Sequence, residues 1–134
     1  MNDRYELRPV GIVRSPLTDL ASAPKQGREG APEAWLEFEP GMLDALDGLR
    51  AGDEVVVLTW LHHSDRGVLK VHPRGDVANP IAGVFATRSP ARPNPIGLHE
   101  LRILEIDGTR MRVSALEALD GTPVLDVKPV LRQA

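Results

Sequence analysis

Two runs of alternating apolar and polar residues meet at Asp107-Gly108, and that junction limits the possible folds more than any other feature of the chain. Before it, Leu101 and Ile103 alternate with charged neighbours; after it, Met111, Val113 and Ala115 alternate with Arg110, Arg112 and Ser114. Side chains on a strand point to opposite faces with a period of two, so each run makes a half-buried strand. Asp-Gly between two such runs predicts a tight hairpin with a primed turn, whose two central positions need positive φ.

Other segments repeat the theme. Residues 9–13 are short and apolar-rich, and residues 35–39 partly alternate apolar with acidic side chains. Residues 54–61, nearly all apolar and β-branched, predict a strand buried on both faces. Asp120-Gly121 ahead of residues 124–127 predicts a second tight turn. Only residues 41–49 carry helical spacing, through Met42, Leu43, Leu46 and Leu49, and they allow barely two turns. Many short strands, closely spaced turns and one short helix indicate an all-β barrel or a β-rich α+β domain. No Gly-rich loop joins a strand to a helix, which argues against a Rossmann-type dinucleotide site. At 134 residues the chain is expected to form a single domain, residues 1–134.

The absence of cysteine excludes thiolate catalysis and cysteine-ligated zinc. The N-terminus lacks a signal-peptide core and no apolar run is long enough to span a bilayer, so the expected location is the cytoplasm, with no membrane partner. The net charge is −3, yet residues 62–102 hold six Lys and Arg against three Asp and Glu, together with all four histidines. One basic face on an acidic protein can still attract a phosphate backbone.

Four segments could carry chemistry. In residues 83–97, three prolines between positions 90 and 95 preclude a helix interior or a central strand. That predicts a stiff, extended loop presenting Arg88, Arg92 and Asn94 to carboxylate or phosphate groups; the alternative is a rigid surface connection with solvated arginines. At His62-His63 a buried strand ends in a polar cluster, and adjacent strand residues point apart, which disfavours a shared metal. Asp120-Gly121-Thr122 makes a turn whose backbone can approach a ligand, while Asp126 and Lys128 share a strand face and can pair with each other. Pro24-Lys25-Gln26 is a short polar turn. No nucleophile–base pair stands out, so hydrolysis and covalent catalysis have little support.

Taken together, Gly11-Ile12-Val13-Arg14-Ser15-Pro16, Pro24-Lys25-Gln26-Gly27, residues 84–97 and residues 119–129 resemble the TsaA-like, or TrmO, family of tRNA adenosine-37 N6-methyltransferases. The resemblance spans roughly residues 8–130. It implies a single-sheeted β-barrel that binds S-adenosylmethionine, commonly dimerises and methylates N6 of threonylcarbamoyl-adenosine 37. It places the cofactor against Pro24, Lys25 and Gln26, His62 and His63, Arg88, Leu98, and the turn Leu119, Asp120, Gly121 and Thr122. Arg92 and Asn94 are expected to face the nucleic acid, with Arg66 and Arg74 adding phosphate contacts, and Asp126, His62 or His63 to take a proton. The family's longer members carry a further C-terminal region, so the chain is expected to be a short form. Where the family often shows Lys-Pro-Tyr, this sequence has Lys128-Pro129-Val130. Two other readings stay open: a methyltransferase of a small metabolite, and a non-catalytic S-adenosylmethionine-binding module.

Overall fold

The structure is a computed structural model that describes residues 3–19 and 30–131. Eight strands follow one another along the chain: β1 (Gly11–Arg14), β2 (Ala34–Phe38), β3 (Glu54–Trp60), β4 (Lys70–Val71), β5 (Ala82–Gly83), β6 (Ile96–Asp107), β7 (Arg110–Val113) and β8 (Pro123–Pro129). Six of them close an antiparallel barrel in the order β1-β2-β7-β6-β3-β8, with β8 pairing back onto β1; β4 and β5 form a separate two-stranded ribbon. Closure removes every free edge from the main sheet. Among the described residues no helix is long and apolar enough to cross a membrane.

The period-two pattern fills the barrel. Val13, Leu36, Val55, Val57, Ile103, Met111, Val113 and Val124 are fully buried inside it. β3 corrects one expectation: it alternates rather than lying buried on both faces, with Val56, Leu58 and Trp60 half-buried on the outer wall. A closed sheet has one core, and only its inner face meets that core. Register shifts between Leu58 and Thr59 and between Ile103 and Glu105 mark bulges, which bend strands and help them curl.

The predicted hairpin forms, shifted by one residue. Asp107 pairs with Arg110, so the loop residues are Gly108 and Thr109, and only Gly108 takes positive φ, at 60°. That is the pattern of a type II′ turn, glycine first, instead of two positive positions. The helical segment is a 3-10 helix, Pro40–Leu46, that plugs one end of the barrel with Leu46. Seven residues opening on Pro-Gly are too few to recover the cost of nucleating an α-helix, and the tighter turn suffices. At the opposite end β3 stops, β6 and β8 start, and the segment between β7 and β8 crosses the opening with Leu116 and Ala118 buried beneath it.

Candidate functional site

Three of the singled-out segments adjoin that opposite rim: His62-His63 after β3, the proline-rich loop before β6 and the Asp120 turn before β8. Asp120 and Gly121 form the second predicted turn: the Thr122 amide donates to the Leu119 carbonyl at 3.1 Å and Gly121 has φ of 84°. Positive φ at the third turn residue is the mark of a type II turn, and a glycine there carries no strain. The turn is stitched into the barrel end. Asp120 N–H donates to the Leu17 carbonyl, Gly121 N–H to Val13, and Asp120 Oδ1 accepts from the Ser15 amide at 3.0 Å. The amide donors of Asp120, Gly121 and Thr122 are therefore all occupied. What the turn can offer a ligand is the half-buried Leu119 side chain, the carbonyls of Asp120 and Gly121, and the second Asp120 oxygen; Thr122 is buried.

His62 and His63 follow β3 at the same rim, in a turn closed by the Ser64 amide on the Leu61 carbonyl at 2.9 Å. Because they lie beyond the strand, they do not point to opposite faces: their rings face each other at 3.9 Å between centroids. The described residues nonetheless contain no group of three or more side chains able to hold a metal.

The proline-rich loop is rigid for reasons beyond its prolines. It leaves a 3-10 turn, Val84–Ala86. Thr87 Oγ1 donates to the Val84 carbonyl and accepts from the Ser89 amide; Ser89 Oγ accepts from the Ala91 amide. Hydroxyls that bond their own backbone in this way build consecutive small turns. The Arg92 guanidinium closes the loop, donating to the carbonyls of Thr87 at 3.1 Å and Ser89 at 2.8 Å. Both bonds come from Nη1, so Arg92 braces its own loop with one nitrogen while Nη2 and Nε are left for an acceptor. Arg88, between the two hydroxyl residues, is left exposed, and no hydrogen bond or ion pair among the described residues engages it.

Asn94 is engaged too. Arg66 donates to the Pro93 carbonyl at 2.7 Å and to Asn94 Oδ1 at 3.1 Å, while its guanidinium lies 5.2 Å over the Trp60 ring. These groups edge a cleft of about 620 Å³ beside the rim, walled also by Tyr5, Ile96 and Leu125.

Two expected residues stand apart. Leu98 faces outward from β6, opposite Leu58, which in turn stands opposite Asp126 on β8. Both belong to the outer wall, away from the Asp120 turn. Asp126 is paired with Lys128 at 3.1 Å and accepts from the Val127 amide, so the pairing alternative is the one observed. Pro24, Lys25 and Gln26 lie outside the described residues.

Sequence reading passed over one constellation. His99 is buried within the barrel, its Nε2 2.8 Å from Thr59 Oγ1 and its Nδ1 2.6 Å from Glu117 Oε1. A signal was present: His99 is in phase with Leu101 and Ile103, and Thr59 with Val55 and Val57, so both had to point inward. A buried imidazole needs partners at both nitrogens.

Comparison with known proteins adds a lineage to this geometry. Residues 12–134 match the sequence profile of the tRNA-methyltransferase O N-terminal domain. The chain is 50% identical over 123 residues, 92% of its length and 88% of the relative's, to a probable S-adenosyl-L-methionine-binding protein of Methanothermobacter thermautotrophicus. It is 40% identical over 122 residues, 91% of its length and 86% of the relative's, to an S-adenosyl-L-methionine-binding protein of Archaeoglobus fulgidus. The crystal structure of TrmO from Pseudomonas aeruginosa superposes with a TM-score of 0.78 at 31% identity, covering 96% of this chain and 57% of the larger one. The chain thus spans little more than half of that crystallised protein.

Proposed function

Because the chain belongs to the tRNA-methyltransferase O N-terminal domain family, we propose that it is an S-adenosylmethionine-dependent methyltransferase acting on N6 of threonylcarbamoyl-adenosine 37 of tRNA, in the cytoplasm. The observation that carries this reading is the clamped loop, leading into β6 at the barrel end that carries the Asp120 turn, which presents an exposed Arg88 with no partner among the described residues. A guanidinium without a partner on a loop already ordered by Thr87, Ser89 and Arg92 loses little freedom on meeting a carboxylate.

The donor set suits the cofactor. Arg88 complements its carboxylate. The Asp120 and Gly121 carbonyls complement an exocyclic amine, Leu119 gives an apolar face for a purine, and the free Asp120 oxygen complements ribose hydroxyls. His62 and His63 wall the opening, and Pro24, Lys25 and Gln26 complete the proposed contacts. When bound, the cofactor supplies an electrophilic methyl group on a sulfonium. The protein's task is to align donor and acceptor with water excluded. Trp60, with Arg66 above it, and Tyr5 across the cleft offer a stacking surface for a nucleobase, and Arg66 and Arg74 are assigned to the phosphates. Two copies would pair through the outer wall, where Ile96 and Leu98 are 41% and 42% exposed, the dimer expected from the family resemblance.

One observation favours a small-molecule acceptor instead. Arg14, Arg102 and Arg112 are each paired with a glutamate, which thins the cationic surface. Labelled methyl transfer to total tRNA lacking the modification, followed by nucleoside mass spectrometry, tests the proposal. Methylated adenosine is expected, and its absence despite cofactor binding would transfer the case to a metabolite. With the two phosphate contacts proposed for Arg66 and Arg74 at roughly −0.7 each on the log scale, tRNA affinity should fall roughly 5- to 10-fold between about 50 and 200 mM salt. A flat response would point to the small acceptor.

A further inference from the structure

Thr59, His99 and Glu117 form a polar chain inside a largely apolar barrel, and nothing in the reaction described so far uses it. They come from β3, from β6 and from the segment crossing the rim after β7. The first two are sealed, at 0% and 5% exposure, whereas the Glu117 side chain keeps 18% of its surface. The chain therefore opens at one end only, and that end is a carboxylate two residues before Leu119 and three before Asp120. Thr59 is too deeply enclosed to meet a substrate. Gly97 shuts it in further: a Cβ there would overlap Thr59 Oγ1 and lie 2.8 Å from His99 Nε2.

A neutral imidazole flanked in this way has one consistent arrangement that leaves Glu117 ionised. The Thr59 hydroxyl donates to Nε2, and Nδ1–H donates to Glu117 Oε1 at 2.6 Å. That bond fixes the carboxylate and leaves Oε2 as its available acceptor. The arrangement of an oriented carboxylate at the lip of a site is that of a general base.

We propose that Glu117 accepts the proton of the methylated amine, and that His99 and Thr59 are positioning residues that hold its carboxylate at the rim. The assignment rests on the methyltransferase reading. The amine nitrogen forms its bond to the methyl carbon as the carbon–sulfur bond breaks, and that bond's electron pair stays on sulfur as a thioether. The surplus proton on nitrogen passes to Glu117 Oε2 and from there to water at the partly open rim. Asp126, by contrast, stands on the outer wall paired with Lys128 and has no such buried chain behind it.

Glu117→Gln is the test, because an amide oxygen still accepts from His99 Nδ1–H. In the full-length protein kcat should fall roughly 10²- to 10⁴-fold. KM for tRNA and cofactor affinity by equilibrium dialysis should stay within about twofold of wild type, the split expected of a group acting in the chemical step. A readout independent of turnover is ¹⁵N NMR of His99 in the cofactor-free wild type, where Nδ1 should carry the proton. A bare Nδ1 would mean that Glu117 is itself protonated, which overturns the assignment even if the variant does not fold. Full turnover by the variant beside an active wild type overturns it as well and leaves the methyltransferase reading intact. A wild type that transfers no methyl group to any acceptor removes both.

Discussion

Gly97→Ala is expected to lower stability by roughly 2–4 kcal/mol, the combined cost of overpacking and of breaking a buried hydrogen bond. Gly97 is buried on the inward phase of β6, paired with Thr59 across the ladder, and its neighbours leave no room for a methyl group. An added Cβ would overlap Thr59 Oγ1, approach His99 Nε2 to 2.8 Å and Leu61 Cδ2 to 3.2 Å. Leu61 can yield, being the far end of an apolar side chain. The hydroxyl and imidazole cannot separate without leaving a buried donor and acceptor unpaired, and at present every buried side-chain polar atom among the described residues has a partner. For a domain of this size the loss corresponds to a fall in Tm of roughly 10 °C. Differential scanning calorimetry measures it directly, and a shift below about 2 °C would show that the chain repacks freely around His99.

Arg88→Ala should act on binding alone. The side chain is exposed and has no hydrogen bond or ion pair among the described residues, so Tm should not move. Loss of a charge-assisted bond to a carboxylate costs about 1.5–3 kcal/mol, or roughly 10- to 150-fold in cofactor affinity. Arg92→Ala is the informative contrast. Its guanidinium joins the Thr87 and Ser89 carbonyls, so removing it loosens the loop on which Arg88 stands. Affinity should then fall through added ordering cost, with a measurable loss of loop protection in hydrogen exchange that Arg88→Ala does not produce. Equal affinities for wild type and Arg88→Ala would remove Arg88 from the cofactor site.

The barrel was legible where a short-range rule sufficed. The alternation of Leu101 and Ile103 with Met111 and Val113 around a glycine located the β6–β7 hairpin, although register, fixed only by pairing Asp107 with Arg110, moved the loop by one residue. Strand β3 misled because a run of valines reads alike in a two-sided sheet and in a barrel wall; the distinction lies in closure, which depends on β8 returning to β1. Within the site, proline content announced a stiff loop, but not which arginine it would keep for itself. That choice depends on carbonyls turned inward by Thr87 and Ser89. His62 and His63 were located, yet their facing rings follow from a turn one residue past the strand. Glu117 was invisible for a plainer reason: it meets His99 across 18 residues of sequence, and no spacing rule connects them.

The proposed methyl transfer requires the rim to be a site for a sulfonium methyl donor. Isothermal titration of the wild-type chain with S-adenosylmethionine, repeated with tRNA present, examines that claim without requiring turnover. Saturable binding that Arg88→Ala weakens at least about tenfold is the predicted result. No saturable association in either titration, at protein and ligand concentrations reaching the millimolar range, would contradict it.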